Sequence, residues 1–293
     1  MEGYSLAKGL STFPKAFSPL YCATVAAGEQ TGHLDAVLER LAEYAEKQQH
    51  MKRKVQQALI YPCIMIGVSL FIVTFLLIYV VPKMIAVFNT MNQALPGITL
   101  FLIGVSSFIH HYGLIVLVVL ILLGVFWHYL LKRERIRIRY HQFLLKIPGI
   151  KHLITIANTA RFIHTLGVLL TAGVSVIEAL RISSHLVTNI PMRTAIEAAS
   201  KNIKEGANIY LALKKTDYFQ PMSLHLIASG EASGQLEKML GRAAQNQDEE
   251  LEQIINTLLT LFEPLMILVM GVIVLFIVLA ILLPIFSLDQ MGG

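Results

Sequence analysis

Three long stretches without charged residues constrain this chain more than any other feature of its sequence. No Asp, Glu, Lys or Arg occurs in the 28 residues between Lys54 and Lys83, nor between Lys83 and Lys132, and a third stretch contains only Glu263. An α-helix rises 1.5 Å per residue, so about 20 apolar residues cross a hydrocarbon core of about 30 Å. We therefore predict three transmembrane helices, at 59–81, 113–131 and 258–286.

The composition agrees with a membrane protein and excludes several other classes. Hydrophobic residues make up 55% of the chain and charged residues only 15%, against about 25% charged residues in a soluble domain. The chain is too apolar to be disordered, and Cys22 and Cys63 are too few for a disulfide framework or a zinc cluster. The net charge of +5 is too diffuse to indicate nucleic-acid binding, but it suits membrane lipid or an acidic partner.

The basic residues beside the apolar stretches predict how the chain is oriented. Three of them, Lys52, Arg53 and Lys54, precede the first span, and a basic run from Lys132 to Arg139 follows the second. Because segments retained in the cytoplasm carry the excess of Lys and Arg, we expect the N-terminal segment and residues 132–257 to be cytoplasmic. The loop 82–112 and the C-terminal tail then lie outside.

An internal repeat organises the chain into two copies. Residues 17–82 align without a gap with residues 219–284, at a constant offset of 202 and with 14 of 66 positions identical. The identical positions include Pro and Gly residues, which fix backbone geometry and are therefore stronger signals than shared leucines. Each copy is a helical body that runs into a membrane helix.

The second copy extends further towards its N-terminus than the first. Apolar residues at helical spacing from Phe162 to Leu170 predict a helix that stops before Gly173; a second helix follows from Val176, and Pro191 opens a third. The first copy has no counterpart of these helices. We expect that the chain is truncated at its N-terminus and that the apolar faces of the first copy are left uncovered.

The sequence therefore predicts an all-α polytopic membrane protein with three transmembrane helices and two repeated cytoplasmic helical-bundle domains, the first incomplete. No strand or hairpin pattern occurs in either body. The predicted segments are a partial first cytoplasmic domain (1–58), the first span (59–81), an external loop (82–112), the second span (113–131), a basic cytoplasmic linker (132–157), the second cytoplasmic domain (158–257), the third span (258–286) and a short external tail (287–293).

The motif GExxG occurs once in each copy and supplies the most distinctive candidate site. Its last glycine is predicted to end a helix in a left-handed cap, because LDAVL or LEKML begins the next helix directly. The cap does not account for the glutamate, which can cap neighbouring amides, pair with Arg40 or Arg242, bind a metal cation or contact a partner protein. The candidate residues are Gly28, Glu29 and Gly32 in the first copy and Gly230, Glu231 and Gly234 in the second.

Prolines occupy matching positions near both ends of the repeated membrane helices. We expect Pro62 and Pro264 to kink or end those helices and to contribute to coupling between the cytoplasmic bodies and the membrane, and Pro82 and Pro284 to be structural or partner-contact positions. Glu263 lies where the first copy has Tyr61. An ionisable residue in a span indicates a polar contact with another helix or subunit, unless its side chain reaches the nearby membrane surface. The four prolines are Pro62, Pro82, Pro264 and Pro284.

The sequence contains none of the motifs typical of an active site. The ten histidines are scattered, and neither HExxH, GxxxxGK[ST] nor GxSxG occurs. We therefore expect no enzymatic activity and no cofactor. A secondary transporter is the main alternative from another class, because repeats occur there too, but the three spans carry no run of polar residues to line a path.

These motifs resemble the GspF family, the inner-membrane platform proteins of bacterial type II secretion systems, and more distantly the PilC proteins of type IV pilus assembly. The resemblance covers essentially the whole chain and agrees with two helical cytoplasmic domains and three spans. The chain starts late relative to the family pattern. The residues that carry the resemblance are FSPLYCATVAAGEQTGHLDAVLERLAEY from Phe17, ALPG from Ala94, NTARF from Asn158, MSLHLIASGEASGQLEKML from Met222 and LLTLFEPLMILVMG from Leu258.

The resemblance implies a multi-pass scaffold of the bacterial inner membrane, with a cytoplasmic N-terminus and a periplasmic C-terminus. It implies contacts with a cytoplasmic secretion ATPase, other inner-membrane secretion components, pseudopilins and further copies of the chain. The implied function is to couple the ATPase to pseudopilus assembly for protein export. A PilC-like platform for pilus assembly is the alternative within the same class.

Overall fold

The computed structural model describes residues 5–83 and 97–289, and all regular structure within these residues is helical, which confirms the all-α class. A π-helical segment, Leu76–Val80, follows α3. The helices are α1 (Leu6–Ser11), α2 (Pro19–Thr31), α3 (Leu34–Phe75), α4 (Gly97–Leu131), α5 (Glu134–Leu144), α6 (Ile150–Thr171), α7 (Val176–His185), α8 (Ile190–Lys204), α9 (Ile209–Lys214), α10 (Pro221–Ser233) and α11 (Leu236–Asp289).

The bounds of these helices confirm the repeat. Helix α2 begins and ends 202 positions before α10, and α3 begins 202 positions before α11. The short helix α1 lies 203 positions before α9, which matches the one-residue gap upstream of the aligned segments. The predicted helices of the second copy are also confirmed: α6 ends at Thr171, α7 begins at Val176, and Pro191 lies in the first turn of α8.

The chain divides into two compact units. The bundle unit comprises the described residues up to Lys52 together with Leu131–Ile255, and the membrane unit comprises Arg53–Leu130 and the described residues from Asn256 onward. Helices α3 and α11 each contribute residues to both units without a break in the helix.

Helix α6 forms the centre of the bundle unit. Its side chains Phe162, Ile163 and Leu166 are completely buried, and they share one core with Leu20 and Val37 of the first copy. The expectation that the first copy leaves its apolar faces uncovered is therefore wrong for these residues. Helix α2 packs against α6 and α7, because burying one Leu or Val stabilises a fold by roughly 1.5–3 kcal/mol. The helices α6 and α7 therefore pack against both copies.

Two predicted segment boundaries need correction. The linker 132–157 is not a linker, because it contains α5 and the beginning of α6. The external loop 82–112 is helical over 97–112, which form the first half of α4; residues 84–96 lie outside the described part. Gly113 does not break this helix, because a single glycine costs only about 1 kcal/mol and the apolar residues on both sides favour continuation.

Among the described residues, four helices are long and apolar enough to cross a membrane: Leu34–Lys83, Gly97–Leu131, Ile150–Thr171 and Leu236–Leu283. The third of them is α6, whose most apolar window is 61% buried in the bundle unit. Its apolar character is therefore explained by its central position in a helical core. The remaining three contain the predicted spans, and their apolar windows are largely exposed.

The membrane unit has a small core of its own, at one end of α4. Leu102 of α4 is buried together with Leu77 and Val81 from the first copy and Ile277 and Ala280 from the second. The half of α4 that follows Gly113 has no such core; its side chains from Leu114 to Tyr129 are exposed, as expected for a helix that faces lipid.

Candidate functional site

The glutamates of the two GExxG motifs cap the short helix at the start of each copy. In the first copy Glu29 accepts hydrogen bonds from the backbone amides of Leu6 (2.5 Å) and Ala7 (3.1 Å), the first two residues of α1. In the second copy the carboxylate accepts from the amides of Ile209 (2.8 Å) and Tyr210 (3.1 Å), the first two residues of α9. The first amides of a helix lack partners within it, and an anion there also favours the helix dipole.

The first glycine of each motif allows two helices to approach closely. A Cβ atom added at Gly28 would lie 3.1 Å from the Cβ of Val37, on the facing helix α3. A Cβ added at Gly230 would lie only 2.9 Å from the Cα of Leu236 and 2.9 Å from the Cβ of Met239. Helices α2 and α3, and likewise α10 and α11, therefore form tight pairs that a larger residue would separate.

The last glycine of each motif reverses the chain, as the sequence predicts. Gly32 has φ 75° and Gly234 has φ 66°, both in the left-handed region that glycine adopts at little cost. All three fixed positions of the motif thus have a structural explanation: close approach, a helix cap and a tight reversal.

Ion pairing and metal binding by these glutamates receive less support than capping does. Within the described residues neither carboxylate forms an ion pair with Arg40 or Arg242. No group of three or more His, Cys, Asp or Glu side chains comes together there. Cation binding at Glu29 and Glu231 stays a prediction. Each carboxylate already accepts hydrogen bonds from two amides, so fewer of its lone pairs are free to bind a cation.

Tyr61 and Glu263, which occupy the same position in the two copies, contact each other in the membrane unit. The Tyr61 hydroxyl and the Glu263 carboxylate lie close enough to interact. Each residue directly precedes a proline, and neither proline ends its helix, since Pro62 lies inside α3 and Pro264 inside α11. Glu263 therefore makes a polar contact with another helix, as the presence of an ionisable residue in a span indicates.

The π-helical segment leaves one carbonyl of the first copy without an amide partner. The amide of Val81 donates to the carbonyl of Leu76, five residues earlier. The next bond in that register would join residue 82 to Leu77, but Pro82 has no amide hydrogen. Ser106 of α4 donates its hydroxyl to the Leu77 carbonyl instead.

The second copy has the same problem and the same type of solution. Pro284 lies inside α11, so the carbonyl four residues earlier, that of Ala280, receives no helical hydrogen bond. Thr99 of α4 donates its hydroxyl to this carbonyl at 2.7 Å. An unpaired carbonyl is costly in a membrane, and hydroxyl side chains of neighbouring helices are a usual remedy.

The sequence pattern identifies both prolines but not their partners. Thr99 and Ser106 are seven residues apart, so they lie on one face of α4, and both are buried although the helix is mostly apolar. Two hydroxyl residues two turns apart in an apolar helix are the signal that identifies such a contact face.

Comparison with known proteins agrees with the repeated architecture. A family model described as type II secretion system protein F matches residues 1–82 and 162–284, which contain the two copies. The chain is 46% identical to the type II secretion system protein F of Pseudomonas aeruginosa over all 293 residues, covering 72% of that protein. It is 45% identical to the protein of the same name from Aeromonas hydrophila over 99% of the chain and 75% of the relative.

A second group of relatives is more distant. The chain is 34% identical to the type IV pilus assembly protein PilC of Pseudomonas aeruginosa over 100% of its length, covering 78% of that protein. The repeat, the helical class, the membrane helices and these matches lead to one conclusion: the chain belongs to the type II secretion system protein F family.

Proposed function

We propose that this chain is an inner-membrane platform protein of a type II secretion system. The observation that carries the proposal is the match of both repeat copies to the family, with 46% identity over the whole chain to a type II secretion system protein F. The lower identity of 34% to a PilC protein favours the secretion branch over pilus assembly. Membership in this system implies association with other secretion components.

The finer part of the proposal concerns partners and topology. The platform contacts a cytoplasmic secretion ATPase, pseudopilins and further copies of itself, and it couples the ATPase to pseudopilus assembly. The N-terminus and residues 132–257 lie in the cytoplasm and the C-terminus in the periplasm. The basic residues around the first two spans support this orientation.

The proposed coupling route runs along the two long helices. Helix α3 and helix α11 each belong partly to the bundle unit and partly to the membrane unit, so a force on the bundle reaches the membrane helices through continuous backbone. The GExxG motifs make the bundle end of each route stiff, because they fix α2 to α3 and α10 to α11. Pro62 and Pro264 lie along these routes and remove one backbone hydrogen bond each.

Deletion and complementation test the proposed function. We expect loss of the chain to abolish export of type II substrates while pili are retained, and to be rescued by the wild-type gene. Loss of pili with normal export would instead support the pilus branch. A purified complex should contain a cytosolic ATPase, and solute uptake by the pure protein in liposomes would favour a transporter.

Substitution of the prolines tests the coupling route separately. Pro62→Ala and Pro264→Ala each restore a backbone amide and should reduce export, with a larger reduction in the double variant. Protein level and co-purification with the ATPase are the controls. Unchanged export in both single variants and the double variant would remove this route while leaving the platform function intact.

A further inference from the structure

Helix α5 carries a row of cations on one face. Arg135, Arg139 and Lys146, the last in the turn after the helix, fall within about 40° of one another at 100° per residue. All three are exposed, and α5 has no buried residue. Phe143 lies beside this row with 60% of its surface exposed. We call these four residues the basic face of α5.

The opposite side of α5 is the side that packs against the protein. The ring nitrogen Nδ1 of His141 accepts a hydrogen bond from the backbone amide of Ile190, at the start of α8, at 3.1 Å. His141 lies about 140° from the centre of the basic face around the helix. This contact directs the basic face away from the core of the bundle unit.

The protein does not neutralise the basic face itself. Within the described ranges none of Arg135, Arg139 and Lys146 has an ion pair or a hydrogen bond from its side chain. Like charges four residues apart on a helix repel one another. An exposed aromatic ring among unpaired cations is the composition of a helix that lies at a membrane surface.

The chain connection places the first turn of α5 close to a membrane boundary. Helix α4 ends at Leu131, and only Lys132 and Arg133 precede α5. The three steps along the chain from Leu131 to Glu134 reach at most about 11 Å. The last turns of α4 contain Trp127 and Tyr129, residue types that are enriched where a membrane helix leaves the hydrocarbon core.

We propose that the basic face of α5 binds the phosphate groups of anionic phospholipids, with Phe143 entering the headgroup region. This interaction goes beyond the proposed platform function and does not depend on any secretion partner. Each cation near an anionic membrane surface contributes about a fivefold increase in binding, so three cations and a ring hold α5 at the membrane more firmly than a positive flank alone.

Hydrogen exchange of the full chain in nanodiscs tests the proposal. We compare discs of phosphatidylcholine with discs that contain about 30% phosphatidylglycerol, an anionic lipid, and follow the amides of residues 134–144. Exchange of α5 should be slower in the anionic discs by at least about fivefold, the contribution of a single cation. The triple variant Arg135→Gln, Arg139→Gln and Lys146→Gln should show no difference between the two lipids.

A matched variant separates the basic face from total charge. Lys201→Gln, Lys204→Gln and Lys215→Gln remove three exposed cations elsewhere in the bundle unit and should leave the lipid effect on α5 unchanged. Unaltered exchange of the α6 core checks that each variant folds. Equal exchange of wild-type α5 in both lipids, or equal loss of the effect in the matched variant, overturns the proposal. If soluble glycerol phosphate protects the amides of α5 in the neutral discs, the basic face binds free phosphate groups and not the membrane surface, which overturns the proposal.

Discussion

The two copies of the repeat use the same cap in different surroundings. Glu29 caps α1 at the surface, where Leu6 is 44% exposed, whereas Glu231 caps α9 beside Ile209, which is only 7% exposed. The helix pairs differ in the same direction, because the contact at Gly230 is closer than the contact at Gly28. The motif therefore fixes local geometry in both copies, and the packing around it decides how much that geometry stabilises the fold.

The two copies also meet on shared helices. The second copy has α6, α7 and α8 before its cap, and α2 of the first copy packs against α6 and α7. Helix α6 consequently receives side chains from both copies: Tyr44 of α3 contacts the ring of His164, and Gln247 of α11 donates to Thr159 at 3.1 Å. Perturbing α6 should thus affect both copies, whereas perturbing a motif should affect its own copy first.

Alanine at the first glycine of each motif should give the largest difference in stability between the two copies. At Gly230 the added Cβ meets the backbone of Leu236 at 2.9 Å, so α10 and α11 must move apart, at a cost of about 3 kcal/mol. The higher helix propensity of Ala returns about 1 kcal/mol. We expect Gly230→Ala to lose about 2 kcal/mol of stability and Gly28→Ala to lose less, because the added Cβ there meets Val37 at 3.1 Å and the backbone of Leu34 only at 3.3 Å.

Hydrogen exchange measures this difference as the free energy of opening of each helix pair. Gly9→Ala is a suitable control, because a Cβ there meets nothing within 4 Å. Equal losses at Gly28 and Gly230 would mean that the difference in helix separation has no energetic consequence.

Removing the charge of the capping glutamates should give the next largest effect. Glu231→Gln replaces one accepting oxygen by a donor that faces an amide, and we expect it to lose about 1.5 kcal/mol. Glu29→Gln should lose less, about 0.5 kcal/mol, because water replaces the lost bond at the exposed start of α1. Exchange rates of the first amides of α9 and α1 report the two losses directly, and a larger loss at Glu29 would contradict the ranking.

Most of the architecture could be predicted from the sequence because its signals are local or long. The absence of charge identifies the spans, and glycine and proline identify the register of the repeat, which the helix bounds reproduce. The left-handed caps at Gly32 and Gly234 follow from the same residue types. By contrast, the predicted loop 82–112 is helical from residue 97 onward, because Gly97, the histidine pair and Gly113 are weaker signals than the apolar residues around them.

Other features depend on contacts between segments far apart in sequence. The cap between Glu231 and α9 joins residues 22 and 21 positions apart, and the bond between Thr99 and Ala280 joins residues 181 apart. Nothing in the local pattern specifies such partners. The packing of the first copy on α6 could not be predicted for the same reason, since amphipathicity shows that a face is buried but not which helix covers it.

Removing the hydroxyl groups of α4 tests how much each of its two hydrogen bonds stabilises the membrane helix of its copy. Thr99→Val leaves the Ala280 carbonyl without a donor, and Ser106→Ala does the same to the Leu77 carbonyl. Each should lose about 1 kcal/mol, the usual size of an interhelical hydrogen bond in a membrane. Unfolding in mixed micelles measures these losses.

The neighbouring serine provides the control for these two substitutions. Ser107 is exposed on α4, so Ser107→Ala should be neutral. We expect the double variant Thr99→Val and Ser106→Ala to lose about the sum of the single losses, because the two contacts share no partner. A loss at Ser107 equal to that at Ser106 would show that the bond to the Leu77 carbonyl is not the cause, since the higher helix propensity of Ala favours both substitutions.

Acid should produce the smallest effect and should act where α5 meets α8. Partial burial, with Arg137 and Arg193 nearby, lowers the pKa of His141 below its ordinary value of 6.5. The folded protein therefore binds fewer protons than the unfolded chain as the pH falls below about 6.5, and stability is lost in that range while it is complete above it. Protonation also removes the lone pair that accepts from the Ile190 amide. After correction for intrinsic rates, we expect the amides at the start of α8 to exchange faster at about pH 5.5 than at about pH 7.5. The corresponding decrease in the free energy of opening should be less than about 1 kcal/mol. The variant His141→Gln keeps an acceptor that does not titrate and should abolish this dependence, and the amides of α2 in the first copy should not respond; an equal response in the variant would assign the effect to another group.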